Sequence, residues 1–123
     1  MPDAAPLPSP EDLVRLIENS RLDVSTETAL QRGLRTLFSG KGIPFDAEVI
    51  LSPQDRIDFL IGDIGIEAKI KASPRAILRQ LDRYAEDGRI GTLILATATS
   101  FVSRDLEARG KRVLVASLSR GWL

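Results

Sequence analysis

Neither histidine nor cysteine occurs in this chain of 123 residues. Their absence removes whole classes of chemistry: the Ser-His-Asp triad, the cysteine nucleophile, the histidine-based nuclease, and zinc held by thiolate or imidazole. Acid–base and metal chemistry must then come from carboxylates, Lys and Tyr, a donor set that suits hard ions such as Mg²⁺ or Mn²⁺. With no disulfide to form, cysteine usage says nothing about compartment. Charge of one sign is also lacking, since 17 basic residues balance 17 acidic ones at a pI of about 6.3. Bulk electrostatics therefore give no case for nucleic-acid binding, and a polyanion must be held by a local patch or through bound metal. No apolar run approaches the ~20 residues that span a bilayer, and the first residues carry no signal-peptide pattern. A cytoplasmic protein without a membrane partner is expected.

An apolar content of 43% is ordinary for one domain with one core. Residues 1 to 10 hold four of the seven prolines and read as a flexible arm, leaving 11 to 123 as the domain. Ser9-Pro10-Glu11-Asp12 is a helix start, with a hydroxyl cap, an early Pro and acids at the positive dipole end. The helix to about Asn19 carries Leu13, Leu16 and Ile17 on one face, to pack on the domain body or on a second copy. A second helix is predicted from near Ser25 to about Phe38, with Glu27 on the same stripe as Leu30 and Leu34. A carboxylate on that stripe needs a partner, unless it serves the helix dipole or leans out to solvent. Ser39-Gly40-Lys41-Gly42 follows a helix and runs into Ile43-Pro44, so it is a linker and no phosphate loop.

Strands are expected over Glu48 to Leu51, Arg56 to Ile61 and Ile64 to Lys71, followed by a helix capped by Ser73 and ending near Glu86. The apolar run Thr92 to Thr97 reads as a strand covered on both faces. A short helix is predicted from Ser103 to Arg109, stopped by Gly110, before a last strand at Val113 to Ala116. Trp122 is read as a packing residue. The resulting order is α, βββ, α, β, α, β, a meander that becomes a parallel α/β unit.

Within this order, residues 56 to 71 read as a β-hairpin turning on Gly62-Asp63. With those two residues as the loop, Phe59 faces Ile66 and Asp58 faces Glu67. Alternation then puts Ile57, Phe59, Ile61, Ile64, Ile66 and Ile70 on one side and Asp58, Glu67, Lys69 and Lys71 on the other. Two carboxylates directly across a ladder repel each other. A fold that accepts them usually has a cation there.

Taken together, Asp58, Glu67-Ala68-Lys69, the following helical Gln80-Leu81-Asp82-Arg83-Tyr84 and Glu27 on the first core helix resemble the PD-(D/E)xK nuclease superfamily. The likeness is to its RecB-like branch, which carries a Gln-x-x-x-Tyr motif, and covers roughly residues 25 to 116. The residue before Asp58 is Ile57 rather than the proline of the family name. The resemblance implies a restriction-endonuclease-like αβββαβ core, with a mixed sheet flanked by helices. It implies a Mg²⁺- or Mn²⁺-dependent hydrolase of DNA phosphodiester bonds, with junctions or branched DNA as one substrate class and RNA left open. Small members often act as dimers on branched DNA, so a homodimer is a natural arrangement.

For such chemistry Asp58 and Glu67 would supply oxygen ligands, the Ala68 carbonyl a third, and Glu27 another directly or through water. Lys69 would orient the attacking water or stabilise charge at phosphorus, or else form a salt bridge that quiets the acids. Gln80 and Tyr84 would support the site or the nucleic-acid backbone. Lys71 and Arg83 are further phosphate contacts, whereas Arg75 and Arg79 point away from the apolar stripe, toward solvent. Glu48, in the first strand, is a weaker acidic candidate. Two other readings stand beside the nuclease: a catalytically inactive module of the same fold that binds nucleic acid or a protein, and a Mg²⁺ enzyme acting on a small phosphoester. The missing phosphate-cradling glycine loop disfavours the last.

Overall fold

Three helices in the computed structural model, which describes residues 6–101, 103 and 105–118, start where hydroxyl caps stand. In α1 (Pro10–Glu18) the Ser9 Oγ accepts from the Asp12 N–H at 3.1 Å. Thr26 caps α2 (Glu27–Gly40) through the Ala29 N–H, and Ser73 caps α3 (Pro74–Tyr84) through the Ala76 N–H. Each cap satisfies one of the orphan donors that a helix start leaves. Beyond α2 the chain turns through Gly42, at φ 69°, with the Ile43 N–H closing back on the Phe38 carbonyl. The glycines there are a helix exit.

Six strands form one mixed sheet: β1 (Asp46–Ile50), β2 (Arg56–Ile61), β3 (Ile64–Lys69), β4 (Thr92–Thr97), β5 (Asp105–Ala108) and β6 (Lys111–Ser117). Their spatial order is β1-β2-β3-β4-β6-β5. β1, β2 and β3 are antiparallel neighbours, β3, β4 and β6 run parallel, and β5 is antiparallel to β6. The β3–α3–β4 unit is the crossover that parallel strands require. Phe59 pairs with Ile66 and Ile61 with Ile64, so Gly62 and Asp63 are the hairpin loop. Gly62 has φ 60°, a conformation open to glycine at little cost.

Each face of the sheet has its own apolar cluster within the single α/β domain. On one face Leu13 and Ile17 of α1 and Leu30, Leu34 and Phe38 of α2 pack on Phe59, Ile61, Ile66 and Ile94. The apolar stripe of α1 is therefore spent inside the chain, over β4 and β6. On the other face Ile77, Leu81 and Tyr84 of α3 pack on Leu93, Leu95 and Val113.

Two expectations need correction. The segment before Gly110 is a strand: Arg109 (φ 50°) and Gly110 (φ 78°) both take the left-handed conformation of a two-residue hairpin turn. Gly110 thus reverses a ribbon, where the sequence pattern had it stopping a helix. Ile57 is the second. It belongs to the α3-side cluster, while Phe59, two residues on, belongs to the α1–α2 side. Alternation breaks in the partner strand too, for Ala47 packs with Phe59 and Val49 with Ile57. Glu48 between them is a non-glycine residue at φ 53°, so the β1–β2 ribbon turns over at Glu48 and Asp58. Leu7 Cδ1 lies close to Gly62, and α1 begins at Pro10. Trp122 lies outside the described residues.

Ile57 fits on that face because Gly65 lies beneath it. A Cβ on Gly65 would stand 2.6 Å from Ile57 Cδ1 and 3.1 Å from Leu93 Cδ2. Gly65→Ala is expected to destabilise the fold by about 1–3 kcal/mol through overpacking, read as a lower denaturation midpoint with an unchanged m-value. An unaltered midpoint would show that Ile57 does not need the gap.

Candidate active site

The ribbon twist aims Asp58 between the helices. Its Oδ1 accepts from Gln31 Nε2 of α2 at 3.0 Å, and its Oδ2 from the backbone N–H of Ala68 at 2.8 Å. Glu67, directly across the ladder, is 4% exposed. Its Oε1 accepts from the Asp58 N–H at 3.2 Å, while Oε2 lies 3.1 Å from the Tyr84 hydroxyl and 3.6 Å from Lys69 Nζ. Lys69 Nζ also stands 3.6 Å from Glu27 Oε1. Side chains from α2, β2, β3 and α3 thus meet at one sheet margin.

Tyr84 closes this group from the α3 side and is 1% exposed. Its hydroxyl accepts from Gln80 Nε2 at 2.7 Å and lies 3.1 Å from both Glu67 Oε2 and the Arg56 carbonyl. A phenol has one proton and two lone pairs. Tyr84 can therefore donate to an ionised Glu67, or donate to the Arg56 carbonyl and accept from a protonated Glu67. Among the described residues no buried side-chain polar atom is left without a partner.

Electrostatically the two acids are unequal. Burial raises Asp58, but the Ala68 N–H and Gln31 hydrogen bonds favour its charged form. Glu67 is pushed up to about 8 by burial first and by the Asp58 charge second, against the pull of Lys69. The deeper acid is thus the one that holds a proton. Burial also raises the Tyr84 phenol, keeping it neutral at physiological pH.

Most of the residues singled out by their spacing are brought together. Asp58, Glu67, Ala68, Lys69, Gln80 and Tyr84 form one hydrogen-bonded group, which Glu27 joins through Lys69 rather than as a third adjacent carboxylate. Among the described residues, no three acidic side chains close on one point. Asp58 and Glu67 nonetheless fit a hard divalent cation: they are neighbouring oxygen donors, and the proton that burial first and the Asp58 charge second hold on Glu67 is one a nearby positive charge would displace. Lys71 lies exposed just past β3. Arg83 points elsewhere. Its Nε lies 3.2 Å from each carboxylate oxygen of the buried Asp55, pinning the end of α3 to the β1–β2 turn. The pair gives the buried Asp55 its partner, since burying that carboxylate unpaired would be costly. Gln31 was not foreseen as a site residue. Its signal was its place one helical turn after Glu27.

Comparison with known proteins yields no match: no family model, curated protein or solved structure is significantly similar to this chain.

A proton that folded Glu67 keeps up to about pH 8 leaves the unfolded chain near pH 4.5. Stability from this group is full below pH 4.5 and is lost as pH rises toward 8, since the native state binds the extra proton. In EDTA, Glu67→Gln, a neutral isostere, is expected to flatten that decline and to raise Tm at pH 8 by about 5 °C. Thermal unfolding between pH 5 and 8.5 measures this. A parent-like slope in the variant would place the titrating group elsewhere.

Proposed function

We propose that this protein is a Mg²⁺- or Mn²⁺-dependent nuclease that hydrolyses DNA phosphodiester bonds, with a restriction-endonuclease-like core of the PD-(D/E)xK type. One observation carries the reading: where the β2–β3 ladder ends, the Asp58 N–H donates to Glu67 and the Ala68 N–H to Asp58, with Lys69 beside Glu67 and side chains of two helices closing round them. A protein that only needed a stable hairpin would not place two acids across a ladder in a buried margin. The Glu-x-Lys spacing, the Gln80–Tyr84 pair and the order of elements agree with the resemblance.

Hydrolysis forms a bond from water oxygen to phosphorus and breaks the bond to the leaving sugar oxygen, which must end protonated. Asp58 and Glu67 would hold a divalent cation, which would supply Lewis-acid polarisation of a phosphoryl oxygen and ease deprotonation of the attacking water. Glu67 takes up that role on losing its proton, with the Tyr84 hydroxyl and Lys69 ammonium stabilising the charge it acquires. Asp58 is held in orientation by Gln31 and the Ala68 N–H. Lys69 aligns water or stabilises charge growing on the phosphoryl oxygens, and Glu27 holds the ammonium from the opposite side. Tyr84 and Gln80 exclude bulk water behind Glu67. DNA is the partner, with junctions or other branched forms as a substrate class, and a homodimer would double the short basic surface.

A second reading has its own observation. Lys69 stands at 3.6 Å from both Glu27 and Glu67, a bridge that would equally quiet the acids in a module that binds nucleic acid without cutting it.

Incubation of single-stranded, duplex and four-way-junction DNA, and of RNA, with Mg²⁺, Mn²⁺ or EDTA separates the two. Cleavage is expected with either metal and none in EDTA. Glu67→Ala or Lys69→Ala should lower the rate by ~100-fold or more while unfolding stays cooperative. Parent-rate cleavage by either variant would remove the catalytic assignment. Binding without cleavage in every condition would favour the second reading.

A further inference from the structure

A cleft of about 280 Å³ opens beside Asp58, lined by Thr28, Gln31, Arg32 and Arg35 of α2, Glu48 of β1 and Phe59 of β2. We infer that this cleft binds the sugar–phosphate backbone next to the scissile phosphate, with Arg32 and Arg35 as its phosphate contacts. The inference rests on the nuclease reading and adds to it the surface that grips the substrate strand.

Position is the first reason. Asp58 belongs both to the acid group and to the cleft wall, and Gln31, which hydrogen-bonds its Oδ1, stands at the junction. A strand with its reacting phosphate at Asp58 and Glu67 would run along α2 past Gln31 to the two arginines. Thr28, Gln31, Arg32 and Arg35 are spaced three and four apart, which lines them along one side of the helix.

Charge is the second. The protein has no net charge to attract a polyanion, so attraction must be local. Arg35 is set in place: its guanidinium lies 5.9 Å from the centre of the Phe45 ring, and Phe45 packs edge-on against Phe38 and Phe59. Arg32 is not consumed by Asp23, whose lowered pKa comes first from hydrogen bonds with Ser25 and last from Arg32. Glu48 leans toward Arg56 at 3.9 Å, and Asp58 is engaged by Gln31 and Ala68. Two arginines and a threonine thus line the cleft, with both arginines exposed and Arg35 held against Phe45. Phe59 is 2% exposed and offers no face for base stacking. Recognition here is of backbone, and so independent of base sequence.

The larger groove, about 740 Å³ between α3 and β5, is a natural control. It holds Arg75, Arg79 and Arg83 but none of the site acids; Arg83 is tied to Asp55, and Asp82 to Arg109.

The test compares the parent with Arg32→Ala/Arg35→Ala, Arg32→Lys/Arg35→Lys and Arg75→Ala/Arg79→Ala. Binding of a fluorescent mixed-sequence single-stranded oligodeoxynucleotide is followed by anisotropy in Ca²⁺ over a salt series, and its cleavage in Mg²⁺. The α2 alanine pair should raise KM about tenfold with little change in kcat, and should reduce the log–log salt slope of binding by about 2. The lysine pair should recover the slope, and the α3 pair should match the parent. Parent-like KM and slope in the α2 alanine pair, or equal losses in the α3 pair, would overturn the cleft while leaving the nuclease reading intact. A parent that neither binds nor cleaves would remove both.

Discussion

Asp58 and Glu67 meet where the β2–β3 ladder ends, and the surroundings of the site are arranged around the burial and repulsion of these two acids. In water the interaction of two such charges is small, but at a buried margin it rises severalfold. Glu67, raised by burial first and by the Asp58 charge second, keeps a proton well above the usual carboxylate range. Asp58 answers by collecting donors, one from the backbone of the opposing strand and one from α2. Lys69 and Tyr84 complete the shell around Glu67. An arrangement poised in this way changes its protonation readily.

The geometry that makes the pair possible is the rollover of the β1–β2 ribbon at Glu48 and Asp58. A flat ribbon would send Ile57 and Phe59 to one face, with Asp58 alone on the other. The turned ribbon feeds Ile57 to the α3 core and Phe59 to the α1–α2 core. Asp58 then stands at the seam between them, where helices from both faces reach it. A left-handed Glu48 and a bare Gly65 are the local costs of that seam, and the packing of two apolar clusters offsets them. The same turn opens the cleft beside Asp58, so the acid group and the arginine-lined wall share one origin.

Much of the site was legible in the linear chain. A glycine–aspartate turn between two isoleucine-rich runs specifies a hairpin register, and the register dictates that residue 58 opposes residue 67. The spacing of Gln80 and Tyr84 places them on one helix flank, where Gln80 donates to the Tyr84 hydroxyl and Tyr84 reaches Glu67. Other features had no linear signal. Arg83 sits in the same helix as Gln80 yet turns to Asp55, a partner 28 residues away whose burial depends on a turn the pattern does not describe. The segment 105–108 carries acids and a leucine that suit a helix, but four residues cannot hold helical structure against a hairpin that satisfies their backbone in a sheet.

What the sequence determined by itself are the properties of short range: the capped helix starts, the β2–β3 turn, the facing of two carboxylates and the exclusion of thiol and imidazole chemistry. Each follows from bond rotations and side-chain periods within a few residues. The tertiary structure alone decided the side on which Ile57 packs, the pairing of Arg83, the approach of Gln31 to Asp58 and the cleft under Arg32 and Arg35. Those depend on how two helices settle on opposite faces of a twisted sheet, which is set by the collective burial of apolar surface between segments far apart in the chain.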